Sequence, residues 1–382
     1  MVNYVKLGDI GEIFIGLTYK PENISTEGMI VLRSSNIQDG ELDFNDTVRV
    51  NCPVRENLLV KPNDILMCSR NGSAKLVGKC TMLPRMSEPM TFGAFMTIIR
   101  TPYNSYLRYF FDSSAFRNQI KGSATTTINQ ITRKMLDEIE VPVFDVESQI
   151  RITTQFEKLS KLIAMRKEQL AKLDELVKAR FVEMFGDTIL NPFGWEKDLL
   201  GAVCDVRDGT HDSPKYHDTG YPLVTSKNVT GGIIDLSDCS LISEADYQKI
   251  NERSKVDWGD IIMPMIGTVG NPVIVDIEPN FAIKNVSLIK FRPESKVINL
   301  YICALLQSDY FDEVVLSKVR GGTQKFISLG EIRKLQILVP PMELQEQFAA
   351  FVEQTNKTKL TIQSSLDKLE VIKKALMQEY FG

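Results

Sequence analysis

The chain has 382 residues, 43% hydrophobic and 25% charged, with 45 basic and 49 acidic groups and a net charge of −4. That length and balance fit a soluble, cytoplasmic protein of two to four modules with ordinary cores, and they argue against one that holds DNA through its bulk charge. No apolar run approaches the roughly 20 residues that span a bilayer, and the N-terminus carries no signal-peptide pattern.

Residues 1–145 read as short strands and helices separated by turns. Gly72-Ser73-Ala74-Lys75-Leu76-Val77-Gly78-Lys79-Cys80 has the flavour of a phosphate-binding loop but fails it: the first glycine is one residue too far away, and a cysteine stands where the magnesium-binding hydroxyl belongs. Tyr103–Gln119 reads as a helix. Lys121-Gly122-Ser123-Ala124-Thr125-Thr126-Thr127-Ile128-Asn129 is a polar glycine loop, and Val141-Pro142-Val143 is a strand end. Such a loop taken alone is usually a polar turn. From Ile152 onward, alternating four- and three-residue steps pick out Phe156, Leu159, Ile163, Arg166, Leu170, Leu173, Val177, Arg180 and Met184. This seam predicts a long coiled-coil helix within residues 146–186, roughly 39 residues and about 58 Å in length.

A second mixed part follows, residues 187–342, entered through Asn191-Pro192-Phe193-Gly194-Trp195. Its histidines, His211 and His217, share one polar loop and suggest a solvated segment rather than a metal site. Asp276 with Glu294-Ser295-Lys296 has the residue types of a nuclease core, but the corresponding Thr101–Ser105 has neither acid nor lysine, so a turn is expected. Val297–Leu316 reads as a helix, and Arg320-Gly321-Gly322-Thr323-Gln324-Lys325-Phe326-Ile327-Ser328 as a second polar glycine loop. Leu338-Val339-Pro340 is a strand end, and a second seam runs over residues 343–382 through Phe348, Val352, Thr355, Lys359, Ile362, Leu366, Leu369, Lys373, Leu376 and Tyr380. Its lysines predict polar interruptions or a further partner.

Cys52, Cys68, Cys80, Cys204, Cys239 and Cys303 have no metal-type spacing and fit buried thiols. Basic against acidic groups number 16 and 16 in residues 1–145, 8 and 6 in 146–186, 16 and 21 in 187–342, and 5 and 6 in 343–382. DNA binding would therefore need cations clustered on one face or supplied by a partner.

The second half repeats the first. Lys172 through Gly186 returns as Lys368 through Gly382. Ser35-Asn36-Ile37 answers Lys227-Asn228-Val229, Asp64-Ile65-Leu66-Met67 answers Asp260-Ile261-Ile262-Met263, and Gly122 through Pro142 answers Gly321 through Pro340. The period is far longer than a solenoid's. The frame is duplicated and the fill has diverged, which predicts two similar mixed α/β domains joined by two long antiparallel helices in a pseudo-two-fold duplication.

Two diverged domains, each with a polar glycine loop, a Val-Pro exit, Glu-x-Gln and a repeated helix, resemble the DNA-specificity (S) subunit of a Type I restriction–modification system. The resemblance covers essentially the whole chain. It implies a protein without catalysis of its own, whose target-recognition domains each read one half of a split, asymmetric DNA sequence. It further implies two methyltransferase subunits that bind S-adenosylmethionine and two motor–nuclease subunits that use ATP and Mg²⁺, with no cofactor on this chain. Residue type and loop placement make Arg33, Asn36, Arg70, Asn71, Lys75, Thr125, Thr127 and Asn129 the DNA-contacting candidates of the first domain. Those of the second are Lys227, Asn228, Thr268, Lys284, Arg320, Thr323, Gln324 and Lys325. The competing readings are a fused restriction–methylation enzyme, a protein–protein scaffold built on the coiled coil, and a duplicated carbohydrate- or peptide-binding module.

Overall fold

The computed structural model describes residues 3–38, 40–122, 130–267, 269–319 and 325–382. The chain forms two compact units, residues 1–167 with 364–382, and residues 168–363. Each unit contains one globular domain, the first part of one long helix and the last part of the other. The helices are Val146–Phe185 and Met342–Phe381.

The helices pack antiparallel. In the first unit Phe156 stacks on Phe381 at 6.1 Å, and in the second Phe181 meets Phe348 edge-on at 5.6 Å. Every predicted seam position is buried or half-buried, as a stripe of four- and three-residue steps requires. The seam lysine Lys359 is held by Asp174 at 2.5 Å. The first helix stops because Gly186 turns left-handed at φ 77°, a conformation that suits glycine, with its N–H returned to Val182.

In the first unit, Asn3–Lys6 pairs antiparallel with Glu140–Val143, tying the domain's entry to its exit. An antiparallel sheet runs in the order Glu12–Ile15, Met96–Arg100, Ile65–Cys68, Cys80–Met82. A second sheet sets Met90–Phe92 parallel to Met29–Leu32, followed by Val48–Val50 and Ile24–Ser25. Strand Ile65–Cys68 is buried on both faces, because alternate side chains enter different cores. Ile65 and Met67 pack with Tyr106, Phe110, Phe156 and Phe381, whereas Leu66 and Cys68 pack with Leu32, Phe92 and Ile98.

The second unit reproduces this plan. Glu196–Leu199 pairs with Gln336–Val339, and one sheet runs Asp205–Asp208, Val286–Lys290, Ile261–Pro264, Val273–Ile274. The other sets Tyr221–Val224 between Ser240–Ile242 and the parallel strand Ala282–Ile283. Buried hydrogen bonds repeat as well. Tyr106 donates to the Pro142 carbonyl and Tyr301 to that of Leu338, both at 2.9 Å; Asn104 and Asn299 donate to the left-handed Asn63 and Gly259.

The two helices expected inside the domains are each broken. Asn104–Phe110 and Ser114–Gly122 replace the single span Tyr103–Gln119, and Asn299–Leu306 is followed by a π-turn at Phe311–Val315. The breaks fall at Ser113 and Ser308, whose hydroxyls accept backbone N–H groups from Phe116 and Tyr310 and so compete with helix continuation. The expected turn before the second helix is present: Ser295 N–H bonds the Arg292 carbonyl.

Candidate nucleic-acid interface

Two loops nominated from sequence meet the segment Gln130–Ile131 at one edge of the first domain. The strand Ile65–Cys68 runs on into Arg70, which bridges to Gln130, and Ile131 N–H bonds the Ser69 carbonyl at 2.7 Å. Those contacts fasten Gln130 and Ile131 to the loop that carries Arg70, Asn71 and Lys75. Asn71 Nδ2 then donates to Ser34 Oγ at 3.3 Å, which brings in the turn Arg33–Asn36. Lys75 lies exposed on a short 3-10 turn, Ala74–Leu76, a further departure from a phosphate-binding loop, which would open an α-helix there.

Arg70 is the most fully positioned cation of this edge. It donates to Gln130 Oε1 at 2.6 Å and lies 5.6 Å over the ring of Phe95, which is 57% exposed. Both partners are neutral, so its charge remains available to a phosphate or a base edge. Arg33 differs: its guanidinium is already paired with Asp46 at 2.7 Å.

The second domain builds the same edge from different residues. Ile266 bridges to Phe326 in the place of Arg70 and Gln130, and Ile327 N–H bonds the Met265 carbonyl. Lys325 lies exposed beside this bridge, its carbonyl accepting from Gly267 N–H. Lys284 bridges to Thr210 where Gly93 bridges to Leu17 in the first domain, so a cation replaces a glycine on the shared frame. Its ammonium donates to Ser213 Oγ at 2.8 Å. Lys227 is exposed on the turn Ser226–Asn228.

Two nominated asparagines are buried. Asn36 is wholly buried: its Oδ1 accepts Arg33 N–H at 2.8 Å, and its Nδ2 donates to the carbonyls of Asp43 and Asp46. Asn228 is 5% exposed and accepts both the N–H and the hydroxyl of Thr225. Both amides hold the turn in shape through these bonds. Their occurrence at matching places in both copies was the signal, since a residue shared by two diverged readers belongs to the frame. Thr125, Thr127, Asn129, Thr268, Arg320, Thr323 and Gln324 lie outside the described residues.

Sequence reasoning passed over Ser34, Phe95 and Gln130, which only long-range strand pairing brings to Arg70 and Asn71. His211 is exposed in its loop, as expected of a solvated segment, but it is not without partners. Its ring lies 2.9 Å from Asp208 Oδ2 and 2.9 Å from Asn285 Oδ1, and these two hydrogen bonds, that to Asn285 foremost, raise its pKa above the ordinary histidine value. Arg253 pairs with the other oxygen of Asp208. Among the described residues no group of three or more His, Cys, Asp or Glu side chains is placed to hold a metal, and no helix is long and apolar enough to cross a membrane.

One frame is thus built twice with unlike edges, and long helices join the repeats. A family model described as the Type I restriction modification DNA specificity domain matches residues 1–175 and again 192–373, and the chain belongs to that family. It is 23% identical over 369 residues to the EcoKI specificity subunit of Escherichia coli strain K12, covering 89% of this chain and 78% of that one. It is also 23% identical over 344 residues to the MjaVIII specificity subunit of Methanocaldococcus jannaschii, covering 84% and 79%. The solved S subunit of the M. genitalium Type I system has the same fold, with a TM-score of 0.58 at 14% identity over 100% of this chain and 96% of that one. The protein recognises DNA target sequences, acts in complexes with DNA and other restriction–modification subunits, and is a non-catalytic member of them.

Proposed function

We propose that the chain reads a bipartite, asymmetric DNA target, one half through each globular domain, and sets the unread spacer through its paired helices. The observation that carries this reading is the same recognition edge built twice with different side chains: Arg70 and Gln130 in one copy, Ile266 and Phe326 in the other. A scaffold that bound only protein would have no need of two unlike readers. The working division is residues 1–145 and 187–342 as readers, with 146–186 and 343–382 as spacer helices. Arg70, Asn71 and Lys75 in the first domain, and Lys227, Lys284 and Lys325 in the second, are the proposed DNA contacts. Thr125, Thr127, Asn129, Thr268, Arg320, Thr323 and Gln324 stay in the proposal on sequence grounds, and Arg33 stays as a side chain that must first leave Asp46.

The net acidic chain needs cations from elsewhere, which two methyltransferase subunits closing around the duplex would supply. Those subunits would carry S-adenosylmethionine, and two motor–nuclease subunits with ATP and Mg²⁺ would complete a restriction form in the cytoplasm. The test replaces residues 1–145 by the corresponding domain of another family member and sequences the methylated sites. One half-site should change and the other persist; a change in both halves together overturns the two-reader model. Inserting four residues into both helices, near Leu170 and Leu366, should lengthen the spacer by about 6 Å, or roughly one to two base pairs.

A further inference from the structure

The first unit contains a cavity of about 760 Å³ walled by Asn104–Phe110, by Ser114–Gly122 and by both long helices. Its cations are Arg108, Arg117, Lys167, Lys373 and Lys374, and among the described residues none of them makes an ion pair. Three carboxylates, Glu41, Asp112 and Glu370, also line it, leaving a positive excess. Hydroxyl donors from Thr81, Ser113, Ser114 and Ser160 complete the polar wall. Tyr109 forms part of the same wall and is 3% exposed. Its ring is stacked on Phe156 at 4.5 Å, yet its hydroxyl has no hydrogen-bond partner. A buried hydroxyl without a partner is costly, and one in the wall of a cation-lined cavity signals an absent acceptor.

The second unit shows that the shared frame does not require these groups. At the offset that relates Tyr106 to Tyr301, Arg108 becomes Cys303, Tyr109 becomes Ala304 and Arg117 becomes Asp312; by the helix repeat Lys373 becomes Val177. The cavity at that corner is lined by Lys178 together with Glu183, Asp187, Asp309 and Glu313, so its charge is reversed. One copy of the frame has acquired a cationic, hydroxyl-rich pocket that packing alone does not explain.

We propose that the cavity bounded by Arg108, Tyr109, Arg117, Lys167, Lys373 and Lys374 is a phosphate-binding site. Guanidinium and ammonium groups would neutralise the anion, and the Tyr109 hydroxyl would donate to one of its oxygens. The volume lies in the range of small-ligand pockets and would admit a nucleotide. The phosphate would come from a free nucleotide-sized ligand or from the DNA backbone, since the cavity also touches Gly40 and Thr81, on segments that lead from the proposed DNA-contacting loops.

The test titrates pyrophosphate into the purified full chain at low salt, followed by calorimetry, and measures the salt dependence of duplex binding in parallel. Arg117→Gln and Lys373→Gln should each weaken the relevant binding about tenfold, the usual loss for a charge-assisted contact. Tyr109→Phe should weaken it several-fold without lowering the thermal stability of the ligand-free chain, and Lys178→Gln in the second unit should change nothing. Saturable pyrophosphate binding with an unchanged salt slope identifies a free ligand. No pyrophosphate binding, but a salt slope reduced by about two in the double variant Arg117→Gln, Lys373→Gln, identifies the DNA backbone. The proposal fails if neither is seen, if the double variant behaves as wild type, or if Lys178→Gln causes an equal loss.

Discussion

The two units share a frame and differ in charge, and the difference separates what the fold needs from what recognition uses. In both copies a buried aspartate at the start of a central strand is held by a cation on its neighbour. Arg100 grips Asp64 with two parallel bonds of 2.7 and 2.6 Å, whereas Lys290 lies between Asp260 and Asp257 at 2.5 and 2.8 Å. Both copies place a cation there, one as a planar fork and the other as a point charge. At the loop edges no such rule holds: Arg70 opposes Ile266, and Gly93 opposes Lys284. Groups that satisfy buried partners are retained in kind, while groups that face solvent have diverged.

The aromatic anchors at the helix ends offer the largest test of this equivalence. Phe185 packs on Tyr301 and Phe348, and Phe381 on Phe110, Phe144 and Phe156; both side chains are fully or nearly buried. Phe185→Ala and Phe381→Ala should each cost about 3–5 kcal/mol. Urea titrations of the two variants should show similar losses, and a loss below about 1 kcal/mol in either one would end the claim of equivalent roles.

The turn asparagines come next. Asn36→Ala and Asn228→Ala each leave buried backbone groups unpaired and should cost about 1–3 kcal/mol of stability. By contrast, Arg70→Ala should leave the urea midpoint near wild type and weaken DNA binding by about 1–3 kcal/mol. If Asn36→Ala proved as stable as wild type but lost sequence selectivity, that residue would return to the list of readers.

Exchanging the central cations sharpens the comparison further. Arg100→Lys loses one limb of the fork and should cost about 1–2 kcal/mol, whereas Lys290→Arg has two carboxylates to meet and should cost less. Equal costs in chemical denaturation would show that the environments, and not the side-chain shapes, are equivalent.

The smallest effect is a pH dependence confined to the second domain. His211 has a raised pKa because it faces Asn285 Oδ1 and Asp208; Arg253 opposes the shift, and burial does too. A raised value means that the protonated ring favours the fold. Its contribution is complete below the ordinary histidine pKa of about 6.5 and fades as pH rises through the folded-state value. His211→Gln should flatten the stability profile of the full chain between about pH 6 and 8. The matching loop of the first domain offers Thr18, which does not titrate, so an unaltered profile would rule His211 out as the source of any such dependence.

Much of the architecture was legible from the sequence by itself. Apolar steps of four and three residues determine a buried seam because an α-helix brings those positions to one side, and a repeat of Lys172–Gly186 at Lys368–Gly382 determines two matching helix ends. The duplication, the mixed domains and the membership of a DNA-specificity family rest on such local or self-similar signals. The use of individual polar residues does not. Asn36 and Asn71 have the same side chain in similar loops, yet one is wholly buried against three backbone groups and the other lies at an edge beside Ser34. Phe95 and Gln130 became partners of Arg70 only when strands distant in sequence were paired. The cationic cavity draws its walls from residues 40 to 378. Periodicity is a property of one helix or strand and can be read along the chain. Burial and hydrogen-bond satisfaction depend on which distant segment arrives alongside, and the tertiary structure alone decides that.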